Sequence, residues 1–385
     1  MSARLVLVEC NASYGMQLAL RAAATGLDVL VLAVDPARYA ELRCHGIAIE
    51  ACATDRLDSV LRTIGTRPVA GVLAGYELAL PVACATAQAL GLPGPSPTAA
   101  QDTLVKPRAR ALSNQMVGNP VPFWLVESDT DVAAIGPARY PVVAKPAASG
   151  GSLGVAVLAT PAQLRDHVAR WLHAPDERGR PLDGPLLVEQ FVPGTELSVE
   201  LFHGRPVALV RKQLGGASGV VEIGHIAVPW TSAPERSMVE PYLTTLVERL
   251  DLGWGPVHVE IRLEDGRPHL VEINLRLAGD RIPELVNHAT GVDLYDVTLA
   301  TATGGPAAVH PAVHRAAAIR FLTAPAEGTV TAVWGEEDAA GAPEVVQVGL
   351  TTRVGAQVRP AEDSGDRLGY VVTAADDAPT AAAAA

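Results

Sequence analysis

The pattern of the chain changes at one place, and that change limits the folds open to it. Before residue 92, short apolar runs at residues 5–8, 29–34 and 69–74 alternate with helical stretches predicted over residues 14–25 and 78–90. Gly26 and Gly91 stand where helix C-caps belong. Apolar strands separated by helices call for a parallel sheet covered on both faces. Then comes Leu92-Pro93-Gly94-Pro95-Ser96-Pro97, a run of backbone punctuation. Beyond it, strands are predicted near residues 141–145, 155–158, 186–191, 196–202, 206–212, 255–263 and 268–274, and helices near 106–117, 160–173 and 234–251. Several of these strands follow one another directly, which argues for antiparallel pairing. The expected class is therefore an α/β and α+β multidomain fold. An N-terminal α/β unit spans residues 1–97 and a mixed unit 98–305. A small, mostly β unit spans 306–376, and the alanine-rich tail 377–385 is expected to be disordered.

Composition narrows the function. The chain has 385 residues, of which 49% are hydrophobic, and a net charge of −12. It can bury large cores, and it has no broad cationic surface for nucleic acid or anionic membrane. No apolar run approaches membrane-spanning length, and the first apolar run is too short for a signal-peptide core, so a cytoplasmic location is expected. Cys10, Cys44, Cys52 and Cys84 form no C-x-x-C pair and read as free thiols. The turn Asn11-Ala12-Ser13-Tyr14-Gly15 has one glycine where a dinucleotide fingerprint needs three, which argues against an NAD site.

Three segments carry chemistry. In the first, a strand delivers Lys145 beside a loop containing Ser149, Gly150, Gly151 and Gly154. Backbone N–H groups of such a loop can close over phosphates. The second is Glu189-Gln190-Phe191-Val192-Pro193-Gly194-Thr195-Glu196. A strand that breaks after Glu189 exposes backbone groups around 190–192 for the edge of an adenine, and a carboxylate such as Glu196 can accept from ribose hydroxyls. The third runs from His258 through Glu260 and Glu272 to Asn274 and Arg276, with a turn at Asp265-Gly266. A three-residue loop puts Glu260 and Glu272 on the same face, and a two-residue loop puts them on opposite faces. Asn274 shares the face of Glu272. Facing carboxylates need a cation between them, and oxygen ligands of this kind suit Mg²⁺ together with substrate phosphates.

Taken in order, Lys106, Lys145, the glycine loop, Glu189, Glu196, Glu260, Glu272 and Asn274 resemble the ATP-grasp family over roughly residues 100–300. Within it, Val221-Glu222-Ile223-Gly224-His225, the run Glu272 to Gly279 and the closing Gly365-Asp366-Arg367-Leu368-Gly369-Tyr370-Val371 resemble carboxylate–amine ligases of the L-amino acid ligase, dipeptide-forming type. The resemblance implies an ATP-grasp fold between a Rossmann-like N-terminal domain and a small β domain. It implies ATP held by Lys106, Lys145 and the Ser149–Gly154 loop, with Gln190, Phe191 and Val192 against adenine, Glu189 orienting that hinge and Glu196 on ribose. It implies one or two Mg²⁺ ions, with Mn²⁺ as a substitute, on Glu260, Glu272 and Asn274. Arg276 would stabilise an acyl phosphate, and Glu222 and His225 would face an amino-acid substrate. The implied reaction is ATP-dependent amide formation between amino acids, fitting antibiotic or other secondary metabolism, with small-molecule partners and room for a homodimer. Alternatives on the same fold are a γ-glutamyl-type ligase, a biotin-carboxylase-like or purine-pathway enzyme, and a nucleotide-binding module without catalysis. The sequence departs from the family pattern at Leu275, where proline is usual, at Val105 before Lys106, and at Asp280, where an acid would favour a longer or cationic second substrate.

Overall fold

The computed structural model describes residues 4–116, 118–176, 178–179, 181–182, 184–216 and 219–385. Residue 117, the expected end of one helix, lies outside them.

Strands β1 (Arg4–Val8), β2 (Asp28–Ala33), β3 (Ala48–Ala51) and β4 (Val69–Ala74) form a parallel sheet in the order β3-β2-β1-β4. Successive side chains enter opposite cores. Leu5 and Leu7 pack with the helix Tyr14–Ala24, while Val6 and Val8 pack with Leu57–Ile64 and Leu80–Ala89. That two-sided burial is why these strands read as continuous apolar runs. The helix Leu57–Ile64 had no sequence reading although Leu57, Val60, Leu61 and Ile64 fall at helical spacing, and β3 and the helix Pro36–His45 had none because one is four residues long and the other is mostly polar.

A second sheet is antiparallel: β5 (Phe123–Val126), β6 (Val142–Pro146), β7 (Ala156–Leu158) and β8 (Leu186–Gln190), in the order β5-β8-β6-β7. It has its own core, built from residues such as Val142, Ala144, Leu164 and Val188. The third sheet has eight strands. They include β9 (Thr195–Phe202), β10 (Arg205–Gly215), β11 (Val221–Pro229), β12 (Pro256–Glu264), β13 (Arg267–Asn274) and β14 (Ala316–Leu322). Beyond a two-stranded ribbon of β15 (Gly328–Thr329) with β17 (Gln357–Val358), the strands β16 (Val345–Leu350) and β18 (Gly369–Ala375) rejoin that large sheet, whose order is β13-β12-β9-β10-β11-β14-β18-β16.

Two expectations need correction. The C-terminal strands extend the central sheet edge to edge, since β14 pairs with β11. The residues expected to be disordered at the tail form a helix, Ala378–Ala384, capped by Asp377, whose side chain accepts from the Thr380 N–H at 2.8 Å. Ala381 is fully buried against the sheet, so alanine here serves close packing and helix propensity together.

Candidate active site

One face of the central sheet carries the chemistry, because alternate residues of its strands point the same way. On β9, Leu197, Val199 and Leu201 enter the core, leaving Glu196, Ser198 and Glu200 on the other face. On β12, Val257, Val259 and Ile261 do the same, which leaves His258, Glu260 and Arg262.

The β12–β13 hairpin turns on two residues, Asp265 and Gly266, both at positive φ, the geometry an Asp-Gly hairpin favours. A two-residue loop alone would separate Glu260 and Glu272 onto opposite faces. A β-bulge after Glu260 inserts Val271 and shifts the register, so Glu260 pairs directly with Glu272, and His258 with Asn274. Lys145 donates to the Val271 carbonyl at 3.4 Å. The bulge is the device that builds the acidic pair.

The charges around the pair are extensively matched. Glu189 is buried between Lys145, at 2.7 Å, and Arg110, at 2.6 Å. Burial opposes its ionisation, but those two cations outweigh burial and hold its carboxyl at about 2. Lys106 lies 3.4 Å from Glu272 and donates to the Ser149 carbonyl. Lys212, only 2% exposed, touches Glu222 at 2.6 Å and Glu260 at 2.7 Å, with Glu196 at 3.8 Å. Burial pulls its pKa down, and the three carboxylates drive it well above the usual lysine range. His258 bridges Glu200, at 2.7 Å, and Glu260, at 2.8 Å. Burial opposes its charge, yet the two carboxylates raise its pKa to about 9. Glu260, flanked by Lys212 and His258, is held well below the carboxylate range despite its burial. Glu272 goes the other way: burial, then the charges of Glu77 and Glu260, raise it against the pull of Lys106.

Arg276 is anchored from the N-terminal unit, by the turn after β4 and the first helix. Its Nη2 donates to Glu77 at 2.6 Å, and its guanidinium lies 5.1 Å from the centre of the Tyr14 ring. Arg276 Nε and the Tyr14 hydroxyl are buried without hydrogen-bond partners. Both residues line a cavity of about 30 Å³, enough for a water molecule. The glycine loop closes on the same carboxylate: a Cβ at Gly150 would come within 2.8 Å of Glu77 Oε2.

The second cluster is Glu222, His225, Asp280 and Arg367. His225 Nε2 lies 3.2 Å from Asp280, Arg367 Nη1 lies 2.8 Å from Asp280, and Arg367 Nη2 is 3.6 Å from Glu222. Burial and the neighbouring Asp280 charge raise Glu222, whereas His225 and Arg367 overcome burial and hold Asp280 well below the usual range. His225 Nδ1 and Arg367 Nε and Nη2 are buried without hydrogen-bond partners. Ligand atoms of Glu222, His225 and Asp280 sit within 4.8 Å of one another, a metal-like spacing among the described residues. The Arg367 guanidinium already on Asp280 makes the trio a poor host for a second cation.

Two expectations change. The N–H groups of Gln190 and Phe191 are taken by the carbonyls of Pro122, at 2.9 Å, and Pro141, at 3.1 Å, and the Val192 carbonyl accepts from Arg262 at 3.2 Å. The hinge therefore offers fewer free backbone groups than the break after Glu189 suggested. Asp280 does not stand as a free acid for a cationic substrate, because Arg367 pairs with it and His225 lies against it. Sequence reading missed Glu77, Arg110, Lys212, His258 and Arg367 as site residues. Lys212 left one signal, since with Arg211 it follows the apolar run Val207 to Val210 of its strand.

The comparisons agree with this architecture. A family model described as an ATP-grasp domain matches residues 138–284, and one described as L-amino acid ligase C-terminal domain 2 matches residues 320–385. The chain is an ATP-grasp protein of the carboxylate–amine ligase kind. Within that class its C-terminal segment is that of the L-amino acid ligases. It is 28% identical to the uncharacterized protein y4rH of Sinorhizobium fredii, over 96% of this chain and 78% of that protein. It is 25% identical to a D-alanine–D-alanine ligase of Aromatoleum aromaticum and 30% identical to carnosine synthase 1 of Mus musculus. The chain spans 60% of the length of the former and 23% of the latter. Its fold is similar to the L-amino acid ligase from Bacillus licheniformis, with a TM-score of 0.80, 22% identity, and coverage of 99% of this chain and 95% of that one.

Proposed function

We propose that the protein uses ATP to activate an amino-acid carboxylate as an acyl phosphate and joins it to an amine, releasing ADP and phosphate. The observation that carries this is Lys212. One buried lysine touches Glu260 of the acidic pair and Glu222 of the second cluster, so phosphoryl transfer and substrate recognition share one site. The ATP-grasp element covers residues 98–305, between an N-terminal domain at 1–97 and C-terminal strands at 306–376.

Glu260, Glu272 and Asn274 would hold Mg²⁺. The fit rests on the direct pairing of Glu260 with Glu272; burial, then the charges of Glu77 and Glu260, raise Glu272, and a divalent cation would relieve them. Such an ion supplies charge neutralisation at the phosphates. Lys106, Lys145 and the Ser149–Gly154 loop face the phosphates, Gln190 to Val192 line the adenine end, and Glu196 meets the ribose. Glu189 fixes Lys145 in place. A substrate carboxylate oxygen attacks the γ-phosphorus, and ADP leaves. The amine nitrogen then attacks the carbonyl carbon, and phosphate leaves with the oxygen it acquired. Arg276, held by Glu77, offsets the negative charge of both steps. Glu222 and His225 face the amino-acid substrate. The glycine loop, resting on Glu77 and Lys106, excludes water from the acyl phosphate.

The test is incubation of the protein with Mg-ATP and all pairs of the twenty amino acids, reading phosphate release and product mass. A product weighing the two substrates less water is expected. Background phosphate release with every carboxylate and amine tried would overturn the reading.

A further inference from the structure

A large cleft lies on the C-terminal side of the second cluster. It measures about 740 Å³, within the range of pockets that hold molecules well above the size of a small amino acid. One wall is the β15–β17 ribbon, and the other includes the ends of β16 and the segment that carries Asp366 and Arg367. Arg367 belongs both to this wall and to the cluster, since its Nη1 sits on Asp280 at 2.8 Å. Its Nε and Nη2 are buried without hydrogen-bond partners, so one donor face of the guanidinium is left for a ligand.

The cleft is more positive than its surroundings. Arg353, Arg359 and Arg367 line it against Glu327 and Asp366, in a chain of net charge −12. Asp366 is committed to Arg359 at 2.8 Å and to the N–H of Glu362 at 2.9 Å. Arg353 makes no ion pair among the described residues and is exposed to the cleft's solvent. The cleft thus presents a buried guanidinium at the reaction end and a free one in its outer wall.

We infer that this cleft receives the amine substrate, and that this acceptor is a peptide-sized amine ending in a carboxylate, larger than one amino acid. The inference rests on the ligase reading above. A carbonyl oxygen of the acceptor accepts from the free donors of Arg367, which leaves its amine nitrogen free to attack, and the terminal carboxylate pairs with Arg353, a planar match that an arginine makes bidentately.

Two measurements separate this inference from the reading it rests on. ATP-dependent hydroxamate formation from single amino acids in hydroxylamine tests carboxylate activation with no acceptor present. Calorimetric titration with alanine, Ala-Ala and Ala-Ala-Ala tests the cleft without turnover. The expected result is binding of the peptides at least tenfold tighter than alanine. The preference is then lost in Arg353→Ala, whose thermal melting matches the wild type. With Ala-Ala as acceptor, Arg353→Ala should raise KM about tenfold and change kcat less than twofold. Alanine bound or used as well as the peptides would overturn the inference, as would a peptide preference unaffected by Arg353→Ala. Missing hydroxamate alongside an Arg353-dependent peptide preference would sink the ligase reading and leave the cleft assigned.

Discussion

The two ends of the site treat charge differently. Around Glu189, Lys145 and Arg110 close on both carboxylate oxygens from inside the chain. Around Asp280, one histidine nitrogen and two arginine nitrogens are buried without hydrogen-bond partners. A network completed by the protein is rigid before any ligand arrives, which suits a ligand that never varies. A network left open is completed by whatever binds, and buried donors reject a ligand that cannot pair with them. On this reading the nucleotide end is fixed and the acceptor end carries the specificity.

The most severe test removes the negative charge at the fixed end. Glu189→Gln leaves Lys145 and Arg110 as buried cations without a counter-charge, which is expected to cost about 3–5 kcal/mol. Denaturant unfolding measures it, and a loss below about 1 kcal/mol would mean that water already screens this end. Next in size is Arg276→Ala, which should lower kcat for product formation on the order of 10²–10³-fold. Glu77→Gln should weaken the same step, and the double variant should lose less than the sum of the two, because both act through one pair. Strict additivity would detach Glu77 from the reaction.

A pH titration sharpens the comparison further. Glu189 is depressed to about 2 from an ordinary 4.5, so its stabilisation is complete above pH 4.5 and disappears as pH falls through 2. The loss amounts to about 3 kcal/mol. Wild type and Glu189→Gln should therefore converge in stability between pH 4.5 and 2. Parallel curves across that window would place the depression elsewhere.

Much of the fixed end was legible in the sequence and little of the open end. Lys145, Glu189, Glu260 and Glu272 lie on or beside strands whose alternation is readable, and the family resemblance, not spacing, grouped them in one site. The pairing of Glu260 with Glu272 depended on a bulge at Val271, which no local residue signalled: alternation alone, with the two-residue loop, gave the opposite answer. Glu77 and Arg276 are 199 residues apart, and Asp280 and Arg367 are 87 apart. Contacts of that kind come from packing between sheets, which periodicity does not encode. The alanine tail failed for a related reason. Its composition looked structureless, but Ala381 fits a sheet surface where a larger side chain would not.

The mildest change tests the open end. Arg367→Lys keeps a positive charge near Asp280 but removes the planar fork, and with it the two donors left for a ligand. The fold should survive, because the Phe321 ring that Arg367 covers at 3.9 Å can accept the lysine stem. The KM for the amine substrate should rise about tenfold, the worth of about one charge-assisted hydrogen bond. The KM for ATP should stay within twofold, since Lys106 and Lys145 are untouched. If the KM for ATP rises as much as that for the amine, the two ends are one network joined through Lys212, and the division between a fixed and an open end fails. If neither changes, the unpartnered nitrogens of Arg367 are met by water rather than by substrate, and the acceptor's specificity must come from Arg353, His225 and Glu222.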